Sequence, residues 1–386
     1  MSRDDTPITR QKFIEELMRY RRGSVSRRHF LGVTGLGLAT TVMASAMPGL
    51  RPSRAYGAGS IGDKVILATW PNYHDPANFE KFTAMTGANV QVNVFGSNEE
   101  MLAKLQAGGS GWDVFVPTNY TITTYVSEDL IEPLDLAMIP NYDAGAFDPR
   151  FSDAGTVNGS VYAVPKNWGT TGYAVNTAHT GGRKLTTWKE FWDLTKTEFS
   201  GRTMVHDYQL TTIGNALKYF GYSFNSIDPN ELADAEKLLI EVKPHLFAIN
   251  SDYQPPMRNG DAWMTMCWTG DGKQLNTDIP TIQYVLGTEG GEIWSDYYAV
   301  PRGASNREAG YALINFLLDP AVNAAEVLVH GYPVADSRTN ALLPKELLED
   351  PILYPAQELL SALEFGAAAT LTDPNRAELL ARFKSA

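Results

Sequence analysis

The chain has 386 residues, enough for two ordinary domains, and with 44% hydrophobic and 20% charged residues it is not an intrinsically disordered chain. Its formal net charge is −12, but the first 60 residues hold ten basic and four acidic side chains (+6), so the remainder carries −18. A body of that sign repels nucleic acid and attracts cations at long range, besides keeping the chain in solution. The single cysteine, Cys267, excludes an internal disulfide, and between Met266 and Trp268 it reads as a packing residue.

Residues 26–32 read Ser-Arg-Arg-His-Phe-Leu-Gly, and an uncharged, mildly apolar stretch runs from Phe30 to Leu50. Paired arginines (Arg27, Arg28) ahead of such a stretch resemble a twin-arginine export signal. Small residues at Ala44-Ser45-Ala46 and Tyr56-Gly57-Ala58 offer cleavage sites. The glycines and threonines make the stretch a poor membrane anchor, and no later apolar run approaches spanning length. Residues 1–58 are therefore expected to be a leader, and the mature protein to be soluble and exported.

Along the mature chain, Val65–Trp70 reads as a buried strand ending in the polar, aromatic loop Trp70-Pro71-Asn72-Tyr73. Asp75-Pro76 caps and opens a helix that Gly87 stops. Val90, Val92 and Val94 alternate as a second strand, and Ser97-Asn98-Glu99-Glu100 is a capping box for a helix ending near Gly108-Gly109. Asp113–Pro117 is a third strand, followed by Thr118-Asn119-Tyr120. The alternation resumes with a strand over 161–165 leading into Asn167-Trp168-Gly169. A helix at Trp188 follows, capped by Thr186 or Thr187, and a second opens at Asp228. A strand over 262–268 runs into Thr269-Gly270-Asp271, and a helix spans 307–318. Strand–helix alternation predicts an α/β architecture, with ligand groups just beyond the strand ends. With no flexible linker, a chain of two lobes is expected to cross between them within structured segments.

The six histidines show no metal-ligand spacing, and there is no C-x-x-C, no G-x-S-x-G and no phosphate-binding glycine loop. His206 and Asp207 are neighbours, but adjacent residues of a strand face opposite ways. Tyr297-Tyr298 admits an iron(III) reading, with packing as the alternative. What stands out is aromatics beside carboxylates at segment ends: Trp70 and Tyr73 around Asn72, Trp268 three before Asp271, and Trp294 two before Asp296. Flat π faces suit the methylenes and charge of an alkylammonium, and carboxylates pair its N–H groups where water is excluded.

Several ordered motifs carry a resemblance. They are Thr69-Trp70-Pro71-Asn72-Tyr73, Ser97-Asn98-Glu99-Glu100-Met101, the run from Asp113 to Tyr120, and Pro165 to Thr171. Ala248 to Asp252, Glu289 to Trp294, Ile314 to Leu318 and Gly331-Tyr332-Pro333 complete the set. From about Val65 to Tyr354 the chain resembles the periplasmic polyamine-binding proteins of bacterial ABC importers. The resemblance implies a two-lobed, type II-like solute-binding fold with ligand in the interlobe cleft. It places lobe I at 61–173 with 298–340 and lobe II at 174–297 with 341–386. By the same resemblance Trp70 and Tyr73 box an aliphatic chain, Thr118 and Tyr120 line the cleft, Trp268 and Trp294 close the box, Asp296 pairs an ammonium, and Asp271 matches a diamine-receptor aspartate. Departures occur at Asn72, where the family usually has a carboxylate, and at Tyr208 and Thr211, where spermidine receptors have acidic residues; Asp207 is a neighbouring substitute. Two carboxylates favour a putrescine-like diamine over spermidine.

The expected protein is thus a periplasmic, monomeric binding protein, with no cofactor, no metal and no catalysis, whose partners are a small organic cation and a membrane permease. Receptors of the same fold for a quaternary amine, a thiamine-like cation, an opine or iron are the alternatives, with an exported enzyme behind them. Replacing Arg27 and Arg28 with lysine is expected to strand the precursor in the cytoplasm; fractionation showing normal export would exclude the twin-arginine reading.

Overall fold

A computed structural model describes residues 61–386, so the expected leader (1–58) and its arginine pair lie outside the described residues. The first half is built on β1 (Lys64–Thr69), α1 (Pro76–Thr86), β2 (Asn89–Val94), α2 (Asn98–Gln106) and the short β3 (Val114–Phe115). Local chemistry sets these boundaries as the sequence implies. Asp75 accepts from Ala77 N at the start of α1, and Gly87 closes it in the left-handed region at φ 81°. Ser97 accepts from Glu100 N, and Glu100 reaches back to Gly96 N rather than to the cap itself. Strand β2 is an exposed edge strand, with Val94 58% exposed, so its alternation is only weakly amphipathic.

The second half follows the long β4 (Ala163–Asn176). It comprises α3 (Trp188–Lys196), β5 (Thr203–Val205), α4 (Gln209–Tyr219), α5 (Pro229–Val242), β6 (Leu246–Ile249), β7 (Met264–Trp268), α6 (Thr269–Asp278) and β8 (Ile282–Val285). Strand β9 (Gly291–Ala299) then returns to the first half, where α7 (Arg307–Leu317) and α8 (Pro320–His330) pack. Near the C-terminus come β10 (Leu363–Phe365) and α9 (Pro374–Ser385). Among the described residues no single helix is long and apolar enough to cross a membrane.

The strands form one sheet in the order β2-β1-β3-β9-β4-β7-β5-β6, with β8 paired to β4 and β10 to β9. Strand pairs β1–β2 and β1–β3 are parallel, as are β7–β5 and β5–β6; the joins through β9 and β4 are antiparallel. Two α/β lobes therefore hang on a central antiparallel pair. One apolar cluster gathers Val65, Phe79, Phe82, Ile314 and Leu317 under β1, while another gathers Trp188, Phe191, Trp192, Leu239 and Phe383 beside β7.

Two local readings change. Residues Asn167-Trp168-Gly169 are not a loop after a strand but the middle of β4, because β9 pairs with them throughout. Thr269-Gly270-Asp271 is the first turn of α6, which begins directly at the end of β7. At α3 the cap is Thr187, which accepts from Glu190 N while the Glu190 carboxylate accepts from Thr187 N. Thr187→Ala is expected to cost about 1 kcal/mol of stability, read as a lower urea midpoint; an unchanged midpoint would show that the cap is redundant there.

Candidate ligand-binding site

Between the lobes lies a cavity of about 760 Å³. Its walls are the residues that follow the carboxyl ends of β1, β3, β5, β6 and β7, together with one face of β9, as expected for ligand sites in α/β sheets. Of the residues singled out by sequence, Trp70, Asn72, Tyr73, Thr118, Tyr120, Tyr208, Trp268, Asp271, Trp294 and Asp296 line it. Thr211 does not. It is fully buried in the first turn of α4, behind the wall, with its Oγ 2.7 Å from the Tyr208 hydroxyl and 3.0 Å from Glu292 Oε2.

Two aromatic walls face the cavity. On one, the Tyr73 ring lies 5.1 Å from Tyr332, and Tyr332 lies 5.4 Å from Trp294. Trp70 is pinned by donation from its Nε1 to Val116 O at 3.1 Å and by an edge contact with Phe95. On the other wall, Trp268, Tyr208 and Tyr253 surround the buried His206 ring, whose centroid is 4.7 Å from Trp268 and 5.2 Å from Tyr208. Burial pushes the His206 imidazole down to about 3, so it packs as a neutral ring. Asn72 stands at the mouth with φ 54°, a left-handed conformation that asparagine tolerates better than most residues.

Strand β9 contributes Glu292, Trp294 and Asp296 on the cavity side, while the intervening Ile293 and Ser295 face the opposite way, Ser295 toward Phe151 O and Asn167 O. Trp294 sits opposite Gly169 in register, and a methyl group there would come within 2.5 Å of the indole. Only glycine lets that ring lie flat across β4.

Asp296 is 4% exposed, and its Oδ2 is 2.8 Å from the Tyr73 hydroxyl. That hydroxyl is also 2.5 Å from Asn167 Oδ1, so its single proton serves two acceptors. Asp296 Oδ1, Asn167 Nδ2 and Trp294 Nε1 are buried polar atoms with no hydrogen-bond partner among the described residues. Burial pushes the Asp296 carboxyl up to about 7, against the opposing pull of the Thr118 and Tyr73 hydroxyls and the Lys166 charge.

Lys166 marks a β-bulge. Asp296 pairs with Asn167 and Tyr297 with Pro165, leaving Lys166 unpaired in the ladder. Its ammonium is buried 4.6 Å from the Tyr73 ring centre and 4.0 Å from Glu326, itself tied to Asp75 N and Asn78 Nδ2.

Three carboxylates beyond the two singled out by sequence also line the cavity: Asp207, Asp252 and Glu292. Asp207 accepts from Ser251 Oγ at 2.6 Å, and Asp271 accepts from Tyr253 at 2.7 Å. The cavity thus holds more carboxylates than the two expected from the sequence. Glu292 had a legible signal, since it shares the period-2 face of Trp294 and Asp296. Asn98 was missed as well; its amide donates to Thr118 Oγ and to the Tyr120 hydroxyl, fixing both. Among the described residues the one basic side chain of the lining is Arg258, which pairs with Asp278 and donates to Gln254. Tyr297 and Tyr298 are both buried and pack into different apolar clusters.

A cleft between two α/β lobes, with aromatic walls and a surplus of carboxylates, suits the capture of a small cation. Residues 77–355 match the family model described as bacterial extracellular solute-binding protein. The chain belongs to that family. This solute-binding protein is 32% identical over 308 residues to the spermidine/putrescine-binding periplasmic protein of Escherichia coli K12, covering 78% of this chain and 87% of that one. It is 29% identical to the spermidine/putrescine-binding periplasmic protein 1 of Haemophilus influenzae, covering 85% and 91%. Among solved structures it resembles the spermidine/putrescine ABC transporter substrate-binding protein of Streptococcus pneumoniae, with TM-score 0.69 and 29% identity over 84% of this chain and 99% of that one.

The raised carboxyls give a pH signature. Burial lifts Glu292 from an ordinary 4.5 to about 7, and Asp296 from 3.8 to about 7. Between those limits the folded state holds protons that the unfolded chain has released, so these two groups make stability fall as pH rises from about 4 to about 7. The double variant Glu292→Gln, Asp296→Asn is expected to gain stability relative to the parent at pH 7.5 more than at pH 4.5. Parallel urea-derived pH profiles would contradict the assignment.

Proposed function

We propose that this solute-binding protein captures an aliphatic polyamine in the periplasm and delivers it, chemically unchanged, to the permease of an ABC importer. The observation that carries the reading is Asp296. It is a buried carboxylate, two residues after Trp294 and bonded to the Tyr73 hydroxyl, and its Oδ1 has no hydrogen-bond partner among the described residues; the cavity is lined by five carboxylates and one arginine paired with Asp278. An ammonium at Asp296 Oδ1 satisfies that oxygen with a charge-assisted hydrogen bond, while the methylenes of the same molecule cover the aromatic faces. The names of the relatives, which are receptors for spermidine and putrescine, agree with this chemistry. The lobe limits 61–173 with 298–340 and 174–297 with 341–386 go with the same reading, supported by the separate apolar clusters on either side of β4 and β9.

The wider lining removes the charge count as a reason to prefer a diamine. With Asp207, Asp252 and Glu292 present, a third ammonium also has acidic neighbours. The aromatic walls alone would serve a quaternary ammonium, but such an ion cannot donate to the carboxylates. An opine would bring carboxylates of its own against an acidic lining.

Titration calorimetry with putrescine, spermidine and choline tests the proposal. At least one polyamine is expected to bind well ahead of choline. Trp294→Ala is expected to cost about 2–4 kcal/mol of that binding, through lost apolar area and cation–π attraction, with the thermal transition preserved. Choline binding as tightly as both amines would defeat the polyamine reading; a variant that no longer folds would make Trp294 a core residue.

A further inference from the structure

The cavity's carboxylates are not equivalent. Asp207 and Asp271 each accept a hydrogen bond from a hydroxyl, of Ser251 and Tyr253, the Arg258 charge also acts on Asp271, and Asp252 is exposed. Asp296 has the Lys166 ammonium near enough to favour its ionised form. Glu292 differs from all four. It is 3% exposed, it lines the cavity, and among the described residues no basic side chain acts on its carboxyl group.

A chain of hydrogen bonds holds Glu292 in place. Trp268 Nε1 donates to the Tyr208 oxygen at 3.1 Å. The Tyr208 and Thr211 hydroxyls are 2.7 Å apart, and Thr211 Oγ is 3.0 Å from Glu292 Oε2. A threonine hydroxyl has one proton, and a carboxylate can only accept. Thr211 therefore shares that proton between the Tyr208 oxygen and Glu292 Oε2. The Tyr208 oxygen, which also accepts from the Trp268 indole, is thereby tied through Thr211 to Glu292. Thr211 is excluded from the cavity wall because its role is behind it.

The strand sets the spacing. Glu292 and Asp296 are four residues apart on one face of β9, about 13 Å between α-carbons at roughly 3.3 Å per residue, with Trp294 midway. Carboxylate, indole and carboxylate thus lie in a row on one rigid strand. We propose that Glu292 is the second charge anchor of this cleft, so that the ligand is a linear amine with one cation at Asp296, another at Glu292 and the intervening methylenes across Trp294. This rests on the polyamine reading and narrows it to ligands with two separated cations. The environment agrees: burial without a countercharge pushes the Glu292 carboxyl up to about 7, and a second ammonium supplies the missing charge.

The test is calorimetry with n-butylamine, diaminoalkanes of three to eight methylenes, and spermidine, on the parent, Glu292→Gln and Glu292→Asp. The parent is expected to favour one chain length and to bind that diamine far more tightly than n-butylamine. In Glu292→Gln the advantage of the diamine over the monoamine should shrink by at least about 30-fold, and the chain-length optimum should vanish. Glu292→Asp, which keeps the charge on a shorter stem, should move the optimum to a longer diamine. A parent that binds none of these amines overturns the polyamine reading and this assignment with it. A parent that binds them while Glu292→Gln leaves the ratio unchanged overturns this assignment alone. Thermal unfolding without amine checks each variant's fold, and the Glu292→Asp shift remains decisive if the glutamine variant does not fold.

Discussion

The molecule depends on the backbone ladder between residues 163–176 and 291–299. Both strands are buried along almost their whole length, so every peptide group there must find its partner within the protein. An antiparallel pair meets that demand while running from one lobe to the other, joining the strand at 114–115 on one side to the strand at 264–268 on the other. The ligand cavity is a consequence. Where the ladder passes between the lobes, its exposed face becomes the cavity wall, and the side chains on that face have positions fixed by strand geometry rather than by loop conformation.

One irregularity in the ladder shapes the charge of the site. The bulge places Lys166 where a paired residue would point elsewhere, and its ammonium is buried beside Tyr73 and Glu326. A buried cation needs a countercharge. Burial lowers the pKa of Lys166, while Glu326 and Asp296 both favour its charged form. Asp296 therefore belongs to two electrostatic systems, the cavity and the bulge. The far end of the same strand has no such partner, which makes the two ends of the Glu292–Asp296 row chemically distinct.

The aromatic walls depend on small residues as much as on large ones. Gly169 admits the Trp294 ring and Gly270 admits the Tyr332 ring; a methyl group at either position would lie within 2.7 Å of the neighbouring aromatic atoms. Buried rings are further oriented by their polar atoms, as Trp70 is by Val116 O and Trp268 by Tyr208.

Helix starts and stops were legible because they depend on near neighbours: Asp75 with Pro76, Thr187 with Glu190, and Gly87 in the left-handed region are decided within four residues. Ten of the eleven residues singled out for the site also line the cavity; those around Trp70, Trp268 and Trp294 were legible as aromatics and polar groups at segment ends, while Thr118, Tyr120 and Tyr208 came from the family resemblance. Tertiary structure alone decided the rest. Asn167-Trp168-Gly169 read locally as a loop, and became the middle of a strand because a partner more than 120 residues away supplies its hydrogen bonds. Thr211 and Glu292 could not be sorted locally either: which of them faces the ligand depends on how the helix starting at Gln209 packs against a strand 81 residues further on. Composition and short-range pattern determined that this chain forms an acidic, aromatic-lined α/β receptor. The pairing of distant strands determined which carboxylates stand in the cleft, because a side chain's direction is set by its ladder partner and not by its neighbours in sequence.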